Sequence, residues 1–249
     1  FRQGLPFLSS ALLGAYFIYL STATSARHRW LVTGLGMAFE FGLEMTRPGE
    51  ATSLARPLVN LGTGFGIAAF LALGLSGLAA RQRGQKSTQR GVATTMALVP
   101  LFVAASVSLL GTTQVLHPTV NDAAAYLADT AFFGAPSFEL AQTVEANPWF
   151  KTLLVIIYMH LPAACALVYA LGHRQGALEY PDIIRTFLAV GLAGFCLYHL
   201  APIVGPTYFF RGDFPADPPP PEAMKAIKYL AIPEYRNCFP SLHTAWAVV

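Results

Sequence analysis

The stretch Arg236–Val249, RNCFPSLHTAWAVV, sets a serine and a histidine two residues apart at the mouth of an apolar run. The run reads as the start of a membrane helix. Proline is favoured at the first helical position, because its missing N–H would be unpaired there anyway. With Pro240 in that place, the N–H groups of Ser241, Leu242 and His243 have no acceptor within the helix. The helix dipole adds partial positive charge at the same end. Backbone alone then makes an anion site suited to phosphate. Ser241 adds a hydroxyl, and His243 adds an imidazole that titrates near physiological pH. Protonated, it holds an anion or gives a proton to a leaving oxygen. Arg236 stands just before the turn and contributes charge. A lone Ser-x-His at a helix start is more often a cap beside an interface residue. Here proline, serine, histidine and a basic neighbour converge on one helix end.

Working outward, composition agrees with a membrane setting. Hydrophobic residues make up 54% of the 249, charged residues only 12%, and the mean hydropathy is +0.49. A soluble domain carries about 25% charged residues, so this chain has too few to cover a surface in water. The net charge of +3 gives no footprint for nucleic acid. The chain opens on Phe1 and closes inside an apolar run, which reads as a fragment truncated at both ends. Of three cysteines, Cys165 and Cys196 lie inside apolar runs and Cys238 precedes the closing motif. That pattern is neither a disulfide framework nor a metal spacing.

A spanning helix takes about 20 mostly apolar residues. The runs Leu5–Thr24, Trp30–Met45, Leu58–Ala80, Val92–Leu116, Thr152–Leu171 and Ile183–Gly205 qualify or nearly qualify, and a further one opens at Pro240. Glycines at 62, 64, 66, 74 and 77, with 191 and 194, suit close helix approach in lipid. Orientation follows from the distribution of positive charge. Arg81–Arg90 holds Arg81, Arg83, Lys86 and Arg90 with no acid, and is expected in the cytoplasm. His117–Phe150 holds Asp122, Asp129, Glu139 and Glu145 with no Lys or Arg, and is expected outside. Arg27-His28-Arg29 and Gly172–Arg185 then fall inside, and Pro206–Phe239 outside. The closing motif starts its helix at the extracytoplasmic face.

Two outer segments are more than connectors. Thr119–Phe133 carries capping residues and then apolar residues on one side, and reads as an interfacial helix. Trp149 and Phe150 fit an aromatic belt. Within Arg211–Tyr235, the prolines Pro218–Pro221 impose an extended stretch. Met224, Ile227 and Leu230 then recur at helical spacing, as in a short helix lying on the membrane.

At these residues a family resemblance enters. "CFPSLHTAWA" resembles the second signature motif of the type 2 phosphatidic acid phosphatase superfamily, whose core is Pro-Ser-x-His. The spelling "FPSLH" is most similar to the branch of inositol phosphorylceramide synthases and their bacterial relatives. "APIVGPTYFFRGDFP" resembles the stretch where that branch carries its first motif. The resemblance covers roughly Lys151–Val249. It implies an all-α, polytopic transmembrane bundle with a core shared by vanadium haloperoxidases, here incomplete. It also implies transfer or hydrolysis of lipid-linked phosphate at the outer membrane face. Carried over, His243 is the general acid on the leaving oxygen, and Ser241 with the nearby backbone, including that of Leu242, binds phosphoryl oxygens. The family's first motif supplies a Lys or Arg. This chain has Thr207 after Gly205-Pro206, so Arg211 is the substitute, with Arg236, Lys225 and Lys228 behind it. The family's nucleophile is a second histidine, held by an aspartate, in a third motif. The chain is expected to stop before it, so the segment alone is expected to be inactive. The scheme needs no metal or other cofactor; the implied partners are the bilayer and a phosphorylated lipid.

The expected organisation is N-terminal helices over 1–116, an extracytoplasmic interfacial segment over 117–150, and the first part of the phosphatase-like core over 151–249. Glu40 and Glu44 lie one turn apart in the short second helix, and buried carboxylates in a membrane raise a functional question. Snorkelling of Glu44 toward Arg47 or Arg56 is the simpler account; an ion pathway is the sharper one. His160, two residues before Pro162, is placed to satisfy a backbone carbonyl. His199 lies near the outer end of its helix, as a packed residue or a neighbour of the phosphate site. His117, His160, His199 and His243 have no i, i+3 or i, i+4 pairing and are not read as metal ligands. A transporter or channel, or a non-catalytic scaffold, are the competing functions.

Overall fold

The apolar runs fold as helices. The computed structural model describes residues 5–22, 25–46, 55–83, 89–175, 181–227 and 231–238, with Ser241 and Ala245. The helices are α1 (Leu5–Thr22), α2 (Ala26–Thr46), α3 (Ala55–Val59), α4 (Thr63–Gln82), α5 (Gln89–Leu116), α6 (Asp122–Phe133), α7 (Pro136–Glu145), α8 (Pro148–Met159), α9 (Leu161–Arg174), α10 (Pro181–Leu200), α11 (Pro206–Phe209) and α12 (Pro221–Lys225). Among the described residues there is no strand, only an isolated antiparallel bridge between Thr119 and Ala231. The all-α class is as expected. Four helices are long and apolar enough to cross a membrane, and up to five if the bent pair α8–α9 counts as one span.

Two units are distinguished. The first comprises Phe1–Ala105 and Val155–Leu188. In it α1 packs against α4 and α9, and α2 packs against α4. Its core holds Ala15, Ile18, Ala68, Ala69, Met96 and Ala166. Small residues dominate because the backbones nearly touch. A Cβ on Gly64 would lie 2.3 Å from the Glu40 nitrogen, and one on Gly66 would lie 2.6 Å from the Leu12 Cβ. Lipid tails are as apolar as leucine, so such close packing is what joins membrane helices.

Helix starts inside this unit take their caps from other helices. Glu40 Oε2 accepts the N–H of Gly62 at 3.1 Å and of Gly64 at 2.8 Å, at the start of α4. Gly62 has φ +129, a conformation that favours glycine. At the start of α9 the Ala163 N–H donates to the buried Ser10 hydroxyl at 3.2 Å. Glu40 is thereby accounted for as a cap, and nothing in its contacts calls for an ion pathway. Arg47 lies outside the described residues, as does the side chain of Arg56.

Several element boundaries differ from expectation. The run Thr152–Leu171 was expected to form one helix; the chain bends by 57° between α8 and α9. Pro162 is the cause, since it cannot donate to the carbonyl four residues earlier and its ring crowds that turn. His160 Nδ1 lies 2.9 Å from the Ile156 carbonyl, which also accepts the His160 N–H at 3.1 Å, whereas the carbonyl that Pro162 leaves without its N–H is that of Tyr158. The second helix is longer than the apolar run Trp30–Met45 because Ala26, Arg27, His28 and Arg29 continue it at the start and Thr46 at the end. Leu58–Ala80 is interrupted between α3 and α4 at Asn60–Gly62. The helix expected after the prolines is only the five-residue α12, and Lys228 and Leu230 lie outside the described residues. No periodic apolar signal announced α7.

The second unit comprises Ser106–Leu154 and Ala189–Val248. Its core is Val120, Ala123, Tyr126, Phe138, Val204, Phe209, Met224 and Ile232. Phe138, 1% exposed, meets Tyr126, Phe210 and Phe214 edge-on, with centroids 6.0, 5.1 and 4.9 Å away. Edge-to-face contact suits the quadrupole of each ring. The proline stretch is tied down by Tyr126, whose hydroxyl donates to the Pro219 carbonyl at 2.6 Å. Gln142 of α7 donates to the carbonyls of Pro215 and Ala216.

Candidate functional site

The closing motif begins at Cys238, and its backbone is anchored in the second unit. The Cys238 N–H donates to the Ile203 carbonyl at 3.1 Å. Farther on, the Ala245 N–H donates to the Ser241 carbonyl at 3.1 Å. Ala245 is helical and Ser241 is not. A carbonyl that accepts the first intrahelical bond from a non-helical residue defines an N-cap. Ser241 therefore stands in the N-cap position, two residues later than the cap that Pro240 at the first helical position would give. Ser241 is exposed. Pro240, Leu242 and His243 lie outside the described residues, so the placement of the expected general acid is not part of this geometry.

Arg236 is buried, with 1% of its surface exposed. Its Nε donates to the His117 carbonyl at 2.9 Å and its Nη2 to the Pro118 carbonyl at 3.0 Å. Nη1 donates to the carbonyl of Glu234. Its backbone N–H donates to Thr113 Oγ1 at 3.1 Å. Burial draws its pKa down, and the charges of Asp122 and Glu234 partly restore it. These contacts give Arg236 a positioning duty. It ties the segment before the motif to the end of α5.

Arg211 is an accessible cation. It sits in a 3-10 turn, Arg211–Asp213, with φ 52, a conformation rare for a non-glycine residue. Its guanidinium is exposed and makes no hydrogen bond or ion pair among the described residues. Strained residues of this kind persist only where the surroundings hold them. Phe210, on its N-terminal side, is held by Tyr126 and Phe138. Lys225 closes α12 and is also exposed.

Asp122, the first residue of α6, organises the loop after α10. Its carboxylate accepts the N–H of Val204 at 3.0 Å and of Gly205 at 2.7 Å. Burial pushes its pKa above the usual carboxylate range, while those two bonds pull the other way. Gly205 has φ +94, and a Cβ there would sit 2.7 Å from the Cys238 sulfur. Both facts require glycine. The loop and the motif are thus held against each other through Asp122, Gly205 and Cys238. Desolvation, reinforced by Asp122 and Asp129, raises the Cys238 thiol pKa, although part of the residue reaches solvent. A neutral thiol is a poor nucleophile.

A cleft of about 500 Å³ opens beside this junction. Asp122, Tyr126 and Asp129 of α6 line it together with Ile203, Phe210 and Cys238. Nearby, His117 Nε2 and His199 Nδ1 lie 3.0 Å apart, one ring donating to the other. Their separation in sequence hid the pair, because the spacing test sees only residues on one helix. Among the described residues no group of three or more His, Cys, Asp or Glu side chains is arranged to hold a metal ion. Asp122 also gave no local signal: its partners are 82 and 83 positions away.

Apolar spanning helices, a packed second unit and an N-capped helix start behind a buried arginine define an integral-membrane protein of the helical-bundle class. The chain belongs to the PAP2 superfamily: the family model matches residues 123–249, from α6 through the closing motif. No curated protein and no solved structure matches it. The match begins 28 residues before Lys151, where the sequence resemblance was drawn. Membership points to phosphatase-type chemistry on lipid phosphates.

Proposed function

We propose that the protein is an integral-membrane phosphatase or phosphotransferase acting on a lipid-linked phosphate at the extracytoplasmic face. The observation that carries this reading is the helix start at Ser241, inside the family match. An N-cap serine lies beside the unpaired N–H groups of a first helical turn, and the dipole there favours an anion. In this reading Ser241 and the backbone at Leu242 bind phosphoryl oxygens. Arg211, an exposed cation, pairs with the phosphate. Arg236 supports the site by fixing the segment ahead of it. His243 protonates the oxygen that departs with the lipid as the P–O bond breaks. The phosphoryl group passes to a histidine nucleophile of the kind that the superfamily carries in its third motif. The phosphohistidine is then released to water or to an alcohol. The spelling Phe239-Pro240-Ser241-Leu242-His243 favours the inositol phosphorylceramide synthase-like branch, and so an alcohol acceptor. The proposed organisation keeps 1–116 as a membrane platform, 117–150 as an interfacial segment and 151–249 as the start of the catalytic core.

The test is phosphate release from lipid phosphates by the full protein in proteoliposomes. General acid–base groups contribute about 10²–10⁴-fold, so His243→Ala should lower turnover by that order with the helical circular dichroism unchanged. Arg211→Ala should raise KM more than His243→Ala does. Near-wild-type turnover in the His243 variant would reduce the motif to a helix cap.

A further inference from the structure

The cleft beside the motif has the wrong charge for phosphate. Asp122 and Asp129 both line it, and none of its lining residues is Lys or Arg. Asp122, Tyr126 and Asp129 fall at i, i+4 and i+7 of α6, on one helical face. The rest of the wall is largely carbon: Ala125, Ala128, Ala201 and the ring of Phe210. Tyr126 and Phe210 meet edge-on, with centroids 5.3 Å apart. The Tyr126 hydroxyl is already committed to the Pro219 carbonyl, so its ring is fixed in place. Aromatic faces and carboxylates on an apolar wall are the chemistry that holds an alkylammonium group, an ion whose surface is itself mostly carbon. A volume of about 500 Å³ lies within the ordinary range for small-molecule sites.

Position adds a second argument. Cys238 lines the cleft and Ser241 starts the helix three residues later. Three residues of chain reach at most ~10 Å, the scale of a lipid headgroup. We propose that the cleft formed by Asp122, Tyr126, Asp129 and Phe210 binds the alkylammonium part of a zwitterionic phospholipid headgroup. The inference rests on the phosphatase reading, in that the phosphate of the same headgroup lies at Ser241. It selects choline- or ethanolamine-type substrates over uncharged polyol headgroups. Asp129, exposed at the cleft, attracts the ammonium, with the buried Asp122 carboxylate behind it, and a phosphate that enters the wrong way round is repelled, which sets the direction of binding.

The ammonium half can be tested without any phosphate. Tetramethylammonium chloride is titrated into the detergent-solubilised protein, and its methyl resonance is followed by saturation-transfer NMR. Saturable binding is expected. The neutral isostere 3,3-dimethylbutan-1-ol should bind distinctly more weakly. Asp129 is exposed, so Asp129→Asn should fold normally and weaken ammonium binding by about two- to fivefold, the size of an exposed ion-pair contact. Phe210→Leu keeps the apolar volume, removes the ring, and should weaken it similarly. No saturable binding, equal binding of the neutral isostere, unchanged binding in both variants, or preference for myo-inositol would each overturn the proposal. Vanadate binding is read on the same samples. Vanadate without ammonium overturns this inference alone; ammonium without vanadate overturns the phosphatase reading and with it the headgroup assignment.

Discussion

Asp122 shows how much a single side chain can carry in this protein. It begins α6, where a negative charge complements the helix dipole, and it reaches across to two amides of the loop after α10. Asp122→Asn replaces one acceptor oxygen with an NH2 group that faces a backbone N–H. One bond is lost and a buried donor is left facing another, a change of about 1–3 kcal/mol. The pH dependence has a definite sign. Burial raises the Asp122 pKa in the folded protein, so the folded state holds the proton more tightly than the unfolded chain. That contribution to stability is full below the ordinary carboxylate pKa and is lost as pH rises through the raised value. The advantage of wild type over Asp122→Asn in thermal unfolding should therefore widen as pH falls from neutral into the carboxylate range. A constant gap, or one that narrows, would mean that Asp122 is not titrating as its burial requires. None of this was legible in sequence. An aspartate at a helix start looks like a local cap, and only the fold brings Val204 and Gly205 to it. Arg236 misleads in the opposite sense. A basic residue before a Pro-Ser-x-His core reads as a phosphate ligand, yet its donors go to the carbonyls of residues 117, 118 and 234.

Among the elements, the apolar runs were the easiest to read, because length and hydropathy alone separate a span from a loop. Their breaks were harder. Asn60–Gly62 divides α3 from α4, and the start of α4 then needs acceptors that lipid cannot supply. Glu40 supplies them from α2. The glutamate was visible as an intramembrane carboxylate, but its purpose was hidden, because the amides it serves lie 22 and 24 residues away. Glu40→Ala leaves two amides without that acceptor, each worth about 1–3 kcal/mol when buried. Glu40→Gln keeps an acceptor oxygen and loses only the charge opposite the helix dipole, typically 0.3–1 kcal/mol and more where partly buried, by order of magnitude roughly half the effect. Thermal unfolding in detergent should rank wild type, Gln and Ala in that order. If Gln and Ala were equally damaging, the charge itself would be what α4 needs, and the cap account would fail. The α8–α9 bend belongs to the same class of feature. Pro162 was plain in the sequence, and its neighbour His160 was expected to serve the carbonyl that Pro162 frees, whereas its ring lies at the Ile156 carbonyl. What the run of apolar residues concealed was that the break divides the span.

At the scale of the whole molecule, the outward sides of the long helices carry the exposed apolar residues expected of a lipid contact. Leu75, Leu101 and Leu192 are all more than half exposed on spans that are otherwise apolar. Which way the chain crosses the bilayer is a separate matter, set by charge in the loops. Arg81, Arg83, Lys86 and Arg90 cluster where α4 ends and α5 begins, whereas α6 and α7 carry Asp122, Asp129, Glu139 and Glu145. On the positive-inside rule the first group is predicted to be cytoplasmic. The two groups flank α5, a span of 28 residues that is long enough to cross about 30 Å of hydrocarbon. They must then lie on opposite sides, so α6, the cleft and the helix start at Ser241 belong to the exterior if the basic loop belongs to the cytoplasm. Single cysteines at Lys86 and Asp129, introduced one at a time in a protein otherwise free of cysteine, test this in intact cells with an impermeant maleimide. Asp129→Cys should label from outside and Lys86→Cys only after permeabilisation. The reverse pattern would put the phosphate and headgroup sites in the cytoplasm, where a substrate would have to come from the inner leaflet. Labelling of both from outside would mean that α5 does not span, although its hydropathy and length suffice for it.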